Sequence, residues 1–205
     1  MNDYRIIGYH GTKKSVADEI LNRGFLIKEA KLTDNHWLGH GIYFYDDFKL
    51  AKSWADTKVK NHNNKYNLKE ESCVIKANIF GNNICDLDDN LEVDKFLSYF
   101  NQLYPILEQN HSIELKDKSH YEKIQIYNCI VLDYYTEINN IDVIIRTYDS
   151  KRTRYYEKEH NLDYNIKKLL RITHIEKQIC VKNEDLISNI EIVWCMFFEG
   201  DYYGN

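Results

Sequence analysis

The sequence predicts one α+β domain, and three observations carry that expectation. The chain has 205 residues, enough for a single domain with a sizeable core. Hydrophobic residues make up 43% and charged residues 29%, the balance of a globular chain. Stretches with two-residue alternation and stretches with helical spacing follow one another without a regular strand–helix–strand rhythm, which argues against a doubly wound sheet. One Pro and eight Gly leave little material for a flexible linker, so residues 1–205 read as one unit.

The elements follow in order. Residues 5–10, RIIGYH, are bulky and β-favouring and predict a short strand. A helix follows, with Ser15 and Asp18 spaced as a capping box, Val16 and Ile20 on one face, and Gly24 at its stop. Phe25–Ile27 suit a second short strand, and residues 28–38 a polar loop. Gly41–Tyr45 read as a strand. Asp46 and Asp47 then favour a helix start, through capping and the dipole, for a helix reaching about Val59. Residues 60–71 read as polar loop. Cys73, Ile75, Ala77 and Ile79 alternate with Lys76 and Asn78, a half-buried strand that ends at Gly81. Residues 91–108 and 119–137 are expected to be helical, Asp142–Tyr148 a strand, 149–172 a long charged segment, and Ile175–Val181 and Ile190–Met196 strands around a short turn. No internal repeat is present.

Composition excludes several classes. No stretch approaches the ~20 apolar residues of a membrane helix, so no membrane partner is expected. The N-terminal MNDYRIIGYHGT lacks the apolar core of a signal peptide. The five cysteines, Cys73, Cys85, Cys129, Cys180 and Cys195, are odd in number and widely spaced, without CxxC or a His cluster. That pattern suggests neither a disulfide framework nor a metal site, and a reducing cytoplasm fits it. The net charge of −5 argues against general polyanion binding. Charge is uneven, however: residues 146–171 hold eight bases against four acids, either a solvated loop or a patch for a phosphate-bearing ligand or nucleic acid.

Three segments suggest chemistry together: Tyr9-His10-Gly11-Thr12, then Gly39-His40-Gly41-Ile42-Tyr43-Phe44, then Gln178-Ile179-Cys180-Val181. Singly, each suits a structural role. In this order, with a helix ending in Gly24-Phe25 after the first block and another after the second, they resemble the diphtheria-toxin-type ADP-ribosyltransferases, which include the poly(ADP-ribose) polymerases. The resemblance is dense over residues 8–59 and looser through the DVIIR strand to QICVKN; residues 82–140 fall outside it and read as a helical insertion. It implies two packed, mostly antiparallel sheets forming an NAD cleft flanked by helices.

It also implies roles. His10 would hydrogen-bond a hydroxyl of the adenine-side ribose, the Gly11 backbone would pair with the nicotinamide amide, and Thr12 and Gly41 would border the donor site. Tyr43 would stack on the nicotinamide. The family's second aromatic, eleven residues on, is here Trp54, which four-residue spacing from Leu50 also suits to the core. Gln178 stands where polymer-forming members carry Glu, which favours single transfer. Glu176, two residues before it on the same strand face, could act as the base. A Ser common in the family is here Ala51, removing one donor-side hydrogen bond. His40 suits solvent better than a ligand.

The expected function is therefore NAD⁺-dependent mono-ADP-ribosyl transfer to a macromolecule, protein or RNA/DNA, with no metal. Small bacterial members of this type suggest a toxin or phage-defence effector with a cognate antitoxin. An NAD⁺ glycohydrolase would use the same donor site. A binding module without turnover, and more distantly an RNA 2′-phosphotransferase, are the other readings.

Overall fold

The computed structural model describes residues 4–30, 37–111, 114–148 and 176–197. The elements run β1 (Tyr4–Lys13), α1 (Lys14–Arg23), β2 (Ile42–Tyr45), α2 (Phe48–Tyr66), β3 (Glu71–Gly81), β4 (Ile84–Asp86), α3 (Asn90–His111), α4 (His120–Asn139), β5 (Val143–Tyr148), β6 (Glu176–Val181) and β7 (Ile187–Phe197). The class is α+β. The charged segment 149–172 lies outside the described residues.

Several boundaries differ from expectation, each for a local reason. Lys14 follows β1 directly and Lys13 caps α1 without a side-chain bond, so the Ser15–Asp18 box is not used. Ser15 instead donates to Glu70 Oε1, and Asp18 pairs with Lys14. Phe25–Ile27 form no strand; Phe25 is buried in the core and a 3₁₀ turn spans Ile27–Glu29. Helix α2 does start at Asp47, whose carboxylate accepts from the Lys49 and Leu50 amides, but it runs on through the expected loop to Tyr66. Asn67, at φ 52, ends it in the left-handed conformation that Asn tolerates. Asn63 braces that end, accepting from the Glu70 amide and donating to its carbonyl. Within residues 82–140, β4 joins the sheet, so the part is not wholly helical. Helix α4 opens with a Ser119–Glu122 capping box.

The strands form one continuous seven-stranded sheet, in the order β4-β5-β6-β2-β1-β3-β7, rather than two packed sheets. All neighbours are antiparallel except β4 and β5. The seam between β2 and β1 is narrow. Only Tyr9 opposite Tyr45 is registered there, whereas β1 pairs with β3 from Tyr4–Gly81 to Lys13–Ser72. From His10 onward the β1 edge toward β2 therefore lacks a strand partner among the described residues.

Alternation along β2 sorts the core. Ile42 and Phe44 join Ala17, Ile20 and Phe25 on the α1 side. Tyr43 packs on the opposite side with Leu132, Val131 and Phe96 of α4 and α3, and Tyr45 there with Ala51 of α2 and Val74. The second side of the sheet thus carries α3 and α4 over β5 and β6, and α2 over β1 and β3, with the β6–β2–β1 strip between them.

Cys73 and Cys195 stand opposite one another on β3 and β7 and form a disulfide. This corrects the expectation of unpaired cysteines. A separation of 122 residues hid a pair that the ladder places face to face. No described helix is long and apolar enough to cross a membrane.

Candidate functional site

The three sequence blocks reach neighbouring strands: Gln178 on β6, Tyr43 on β2 and His10 on β1. Cross-strand register extends this into a row on one face of the sheet. Arg146 stands opposite Gln178, Gln178 opposite Tyr45, and Tyr45 opposite Tyr9. One step along, Tyr148 faces Glu176. Directly opposed residues project to the same side, so these side chains share a surface.

Glu176 and Gln178 have unusual surroundings. They are 3% and 9% exposed, and Gln178 Nε2 donates to Glu176 Oε1 at 2.7 Å. Glu176 Oε2 and Gln178 Oε1 are buried and accept from no donor among the described residues. Buried acceptors without donors cost about 1–3 kcal/mol each. Two together on one strand mark a place made for groups that donate hydrogen bonds, such as adjacent hydroxyls.

His10 lies at the seam. Its side chain leaves on the α1 side, with ring centroids 5.3 Å from Phe25 and 5.8 Å from Phe44. Nδ1 is 2.8 Å from the Tyr43 carbonyl oxygen. That oxygen can only accept, so Nδ1 carries the proton. Burial holds the pKa down to about 4, although part of the residue is open to solvent, and nearby Lys58 adds to the effect. The ring is therefore neutral near pH 7 and presents Nε2 as an acceptor. The imidazole and the Gln178 amide thus flank the β1–β2 seam from opposite sides. They do not meet across one hollow.

Tyr43 is committed to the turn before it. Its hydroxyl donates to the Gly39 carbonyl at 2.7 Å and accepts from the Leu38 amide at 2.9 Å. Burial above all, then Cys180 beside it, pushes its pKa well up, so it stays protonated. Tyr43 belongs to the α3–α4 cluster and Trp54 to the α2 cluster with Tyr45 and Val74, so Trp54 has the core position that its helix spacing also allowed. Cys180 is buried, with its thiol pushed up to about 11, and is no nucleophile at neutral pH.

The two glycines that fix this geometry do so by close approach. A Cβ on Gly11 would lie 2.1 Å from the Ala51 carbonyl oxygen, so α2 fills the space that sequence reasoning reserved for nicotinamide on that side. Gly39, at φ +75, would meet Asp133 Oδ1 at 2.1 Å. Gly41 sits against Cys180 and Val181 of β6, and Thr12 is buried two residues beyond His10.

Asp133 and Lys182 are contributions that the sequence did not reveal. Lys182 Nζ donates to the Leu38 and His40 carbonyls at 2.8 and 2.7 Å and pairs with Asp133 at 2.9 Å. Asp133 also accepts from the His40 amide at 2.7 Å. Asp133, from the part outside the resemblance, and Lys182 thus clamp the Gly39-His40-Gly41 turn. His40 is half-buried and bonds the Ala30 carbonyl through Nε2 at 2.9 Å.

Lys58, one turn beyond Trp54 on α2, holds its amine 5.8 Å over that ring, and Lys13, at the end of β1, lies near it. Neither makes an ion pair among the described residues. Burial, and then the Lys13 charge, holds the Lys58 amine below its ordinary value. Two adjacent cations without a carboxylate suit an anionic ligand.

Two shallow hollows of about 360 and 390 Å³ lie elsewhere, at Cys85–Glu92–Tyr135 and at Arg5–Lys76–Glu191, and include none of these residues. Neither hollow contains a buried polar atom without a partner, so the orphaned oxygens on β6 are the stronger signal. Glu71, Cys73 and Cys195 approach one another closely enough for a metal, but the disulfide occupies both sulfurs.

Comparison with known proteins adds a relative without assigning chemistry. No family model matches the chain. It is 27% identical to an uncharacterized protein of Methanocaldococcus jannaschii, over 93% of this chain and 88% of that one. No solved structure matches.

Proposed function

We propose that this chain is an NAD⁺-dependent mono-ADP-ribosyltransferase with the ADP-ribosyltransferase fold, taking NAD⁺ as substrate and releasing nicotinamide. The observation that carries the reading is the orphaned acceptor pair of Glu176 and Gln178, next to the strand of Tyr43 and across the seam from His10. A nicotinamide ribose offers two vicinal hydroxyls to such a pair. His10 Nε2 accepts from the other ribose, the open β1 edge at Gly11 offers backbone groups to the carboxamide, and Lys13 and Lys58 face the diphosphate.

The transfer breaks the bond from C1′ to nicotinamide. The bonding pair leaves with neutral nicotinamide, and positive charge develops at C1′. Gln178 orients a ribose hydroxyl. The acceptor's nucleophile bonds C1′ and loses its proton to Glu176. Neither β6 residue is more than 9% exposed, so binding requires the packing over them to yield. The resemblance extends the proposal to a toxin or phage-defence effector acting in the cytoplasm and checked by an antitoxin.

The test is nicotinamide release from labelled NAD⁺ by the full chain. Label in a macromolecule supports transfer, and free ADP-ribose alone identifies a glycohydrolase. No release under any condition, with NAD⁺ bound, leaves a binding module and ends the proposal.

A further inference from the structure

Next to the orphaned acceptors lies a second group of residues that the donor reading leaves unused. Arg146 stands opposite Gln178 and lies 5.7 Å from the Tyr148 ring. Its guanidinium sits over that ring and makes no ion pair or hydrogen bond among the described residues. Trp37 packs against Tyr148 at 5.9 Å and against Tyr121 at 6.2 Å. Tyr121 is 63% exposed.

This aromatic group is held in place. Asn128 donates to the Trp37 carbonyl at 2.9 Å, and the next residues are pinned by Tyr43, Lys182 and Asp133. Aromatic rings beside a guanidinium without an ion pair among the described residues fit an unstacked base joined to a phosphate. A protein side chain needs no such row of rings. The composition agrees: the sequence between Tyr148 and Glu176 holds seven bases against four acids.

We infer that the acceptor is a single-stranded nucleic acid, with a base stacked at Trp37, Tyr121 and Tyr148 and a phosphate on Arg146. This rests on the transferase reading for its catalytic meaning, but the binding does not need NAD⁺. A nucleophilic nitrogen or oxygen of the strand bonds C1′ and gives up its proton as nicotinamide leaves with the bonding pair. The chain's net charge of −5 makes long-range attraction weak, and the few phosphates contacted make the salt dependence shallow, about −0.7 in log–log slope for each.

The experiment is fluorescence anisotropy of labelled 12-nucleotide RNA and DNA strands with the full chain, without NAD⁺. Single strands are expected to bind more tightly than the matching duplex or polyphosphate. Tyr121→Ala and Arg146→Ala should each weaken binding at least about fivefold, and His10→Ala should not. Tyr121 is exposed enough that Tyr121→Ala should fold, which circular dichroism checks, and it should leave NAD⁺ hydrolysis in water unchanged. Equal affinity for polyphosphate, wild-type affinity in both variants, or label entering added protein but no strand overturns the inference while nicotinamide release survives. Strand binding with these mutational effects, but without nicotinamide release, removes the transferase reading and keeps the platform.

Discussion

Strands β3 and β6 bury polar residues to a similar degree, yet treat them in opposite ways. On β3, Ser72 donates to Asp56 at 2.7 Å, and Asn78 accepts from the Arg5 guanidinium at 3.0 and 3.2 Å. On β6, Glu176 and Gln178 bond each other and leave one oxygen apiece without a donor among the described residues. Partnered polar groups in a sheet stabilise and fix register. Orphaned ones cost stability, and a fold retains them where something else supplies the missing partner. The contrast locates the site more sharply than any hollow in the surface.

Substitutions can break this contrast, and the largest effect should come from β6. Glu176→Leu with Gln178→Leu should lower nicotinamide release on the order of 10²–10³-fold. Replacing both partners by apolar groups should leave the urea midpoint unchanged or raised. A large loss of stability in that double variant would mean the pair is structural. Gly11→Ala should cost about 3 kcal/mol in urea unfolding, because the added Cβ meets the backbone of α2. A tolerated Ala there would show that β1 and α2 part easily, which would weaken the whole description of the seam.

His10 gives an intermediate effect. Its folded pKa, about 4, lies below the ordinary imidazole value of 6.5, so the unfolded chain binds the extra proton. Stability from this group is fully present above about pH 6.5 and is lost as pH falls toward 4. A pKa lowered that far corresponds to about 3 kcal/mol, reduced to about 2 by the ring's partial exposure. His10→Gln should flatten the pH dependence of the urea midpoint over that window, and an unchanged slope would refute the buried neutral imidazole. The smallest effect belongs to β3. Asn78→Ala should cost about 1–2 kcal/mol and leave the turnover of folded protein untouched.

Much of the sheet was legible from local pattern. The alternation of Cys73 to Ile79 and the capping aspartates before α2 both led to the observed elements, because each depends on near neighbours. Glu176 and Gln178 could be placed on one face by counting, but their lack of partners could not, since it is a property of everything packed around them. The Asp133–Lys182 clamp had no sequence signal. It joins a helix interior to a strand end, and neither residue sits in a recognisable motif. Helix α2 outran its expected end because Asn63 braces its final turn to Glu70, a contact invisible in a run of polar residues. The Cys73–Cys195 pair was lost for the same reason as the clamp: only the finished ladder brings the two together.

The strand order also has a temporal meaning. Strand β2 finds its partner β6 only when residues such as Gln178 become available to Tyr45, long after the first helices have been made. Pairings so distant along the chain close slowly. During synthesis on a ribosome, β1 and β3 can zip together while β2 still waits with one flank bare. The β2–β6 seam would therefore close late, giving any binding protein that covers the waiting flank a chance to block it before the chain is finished.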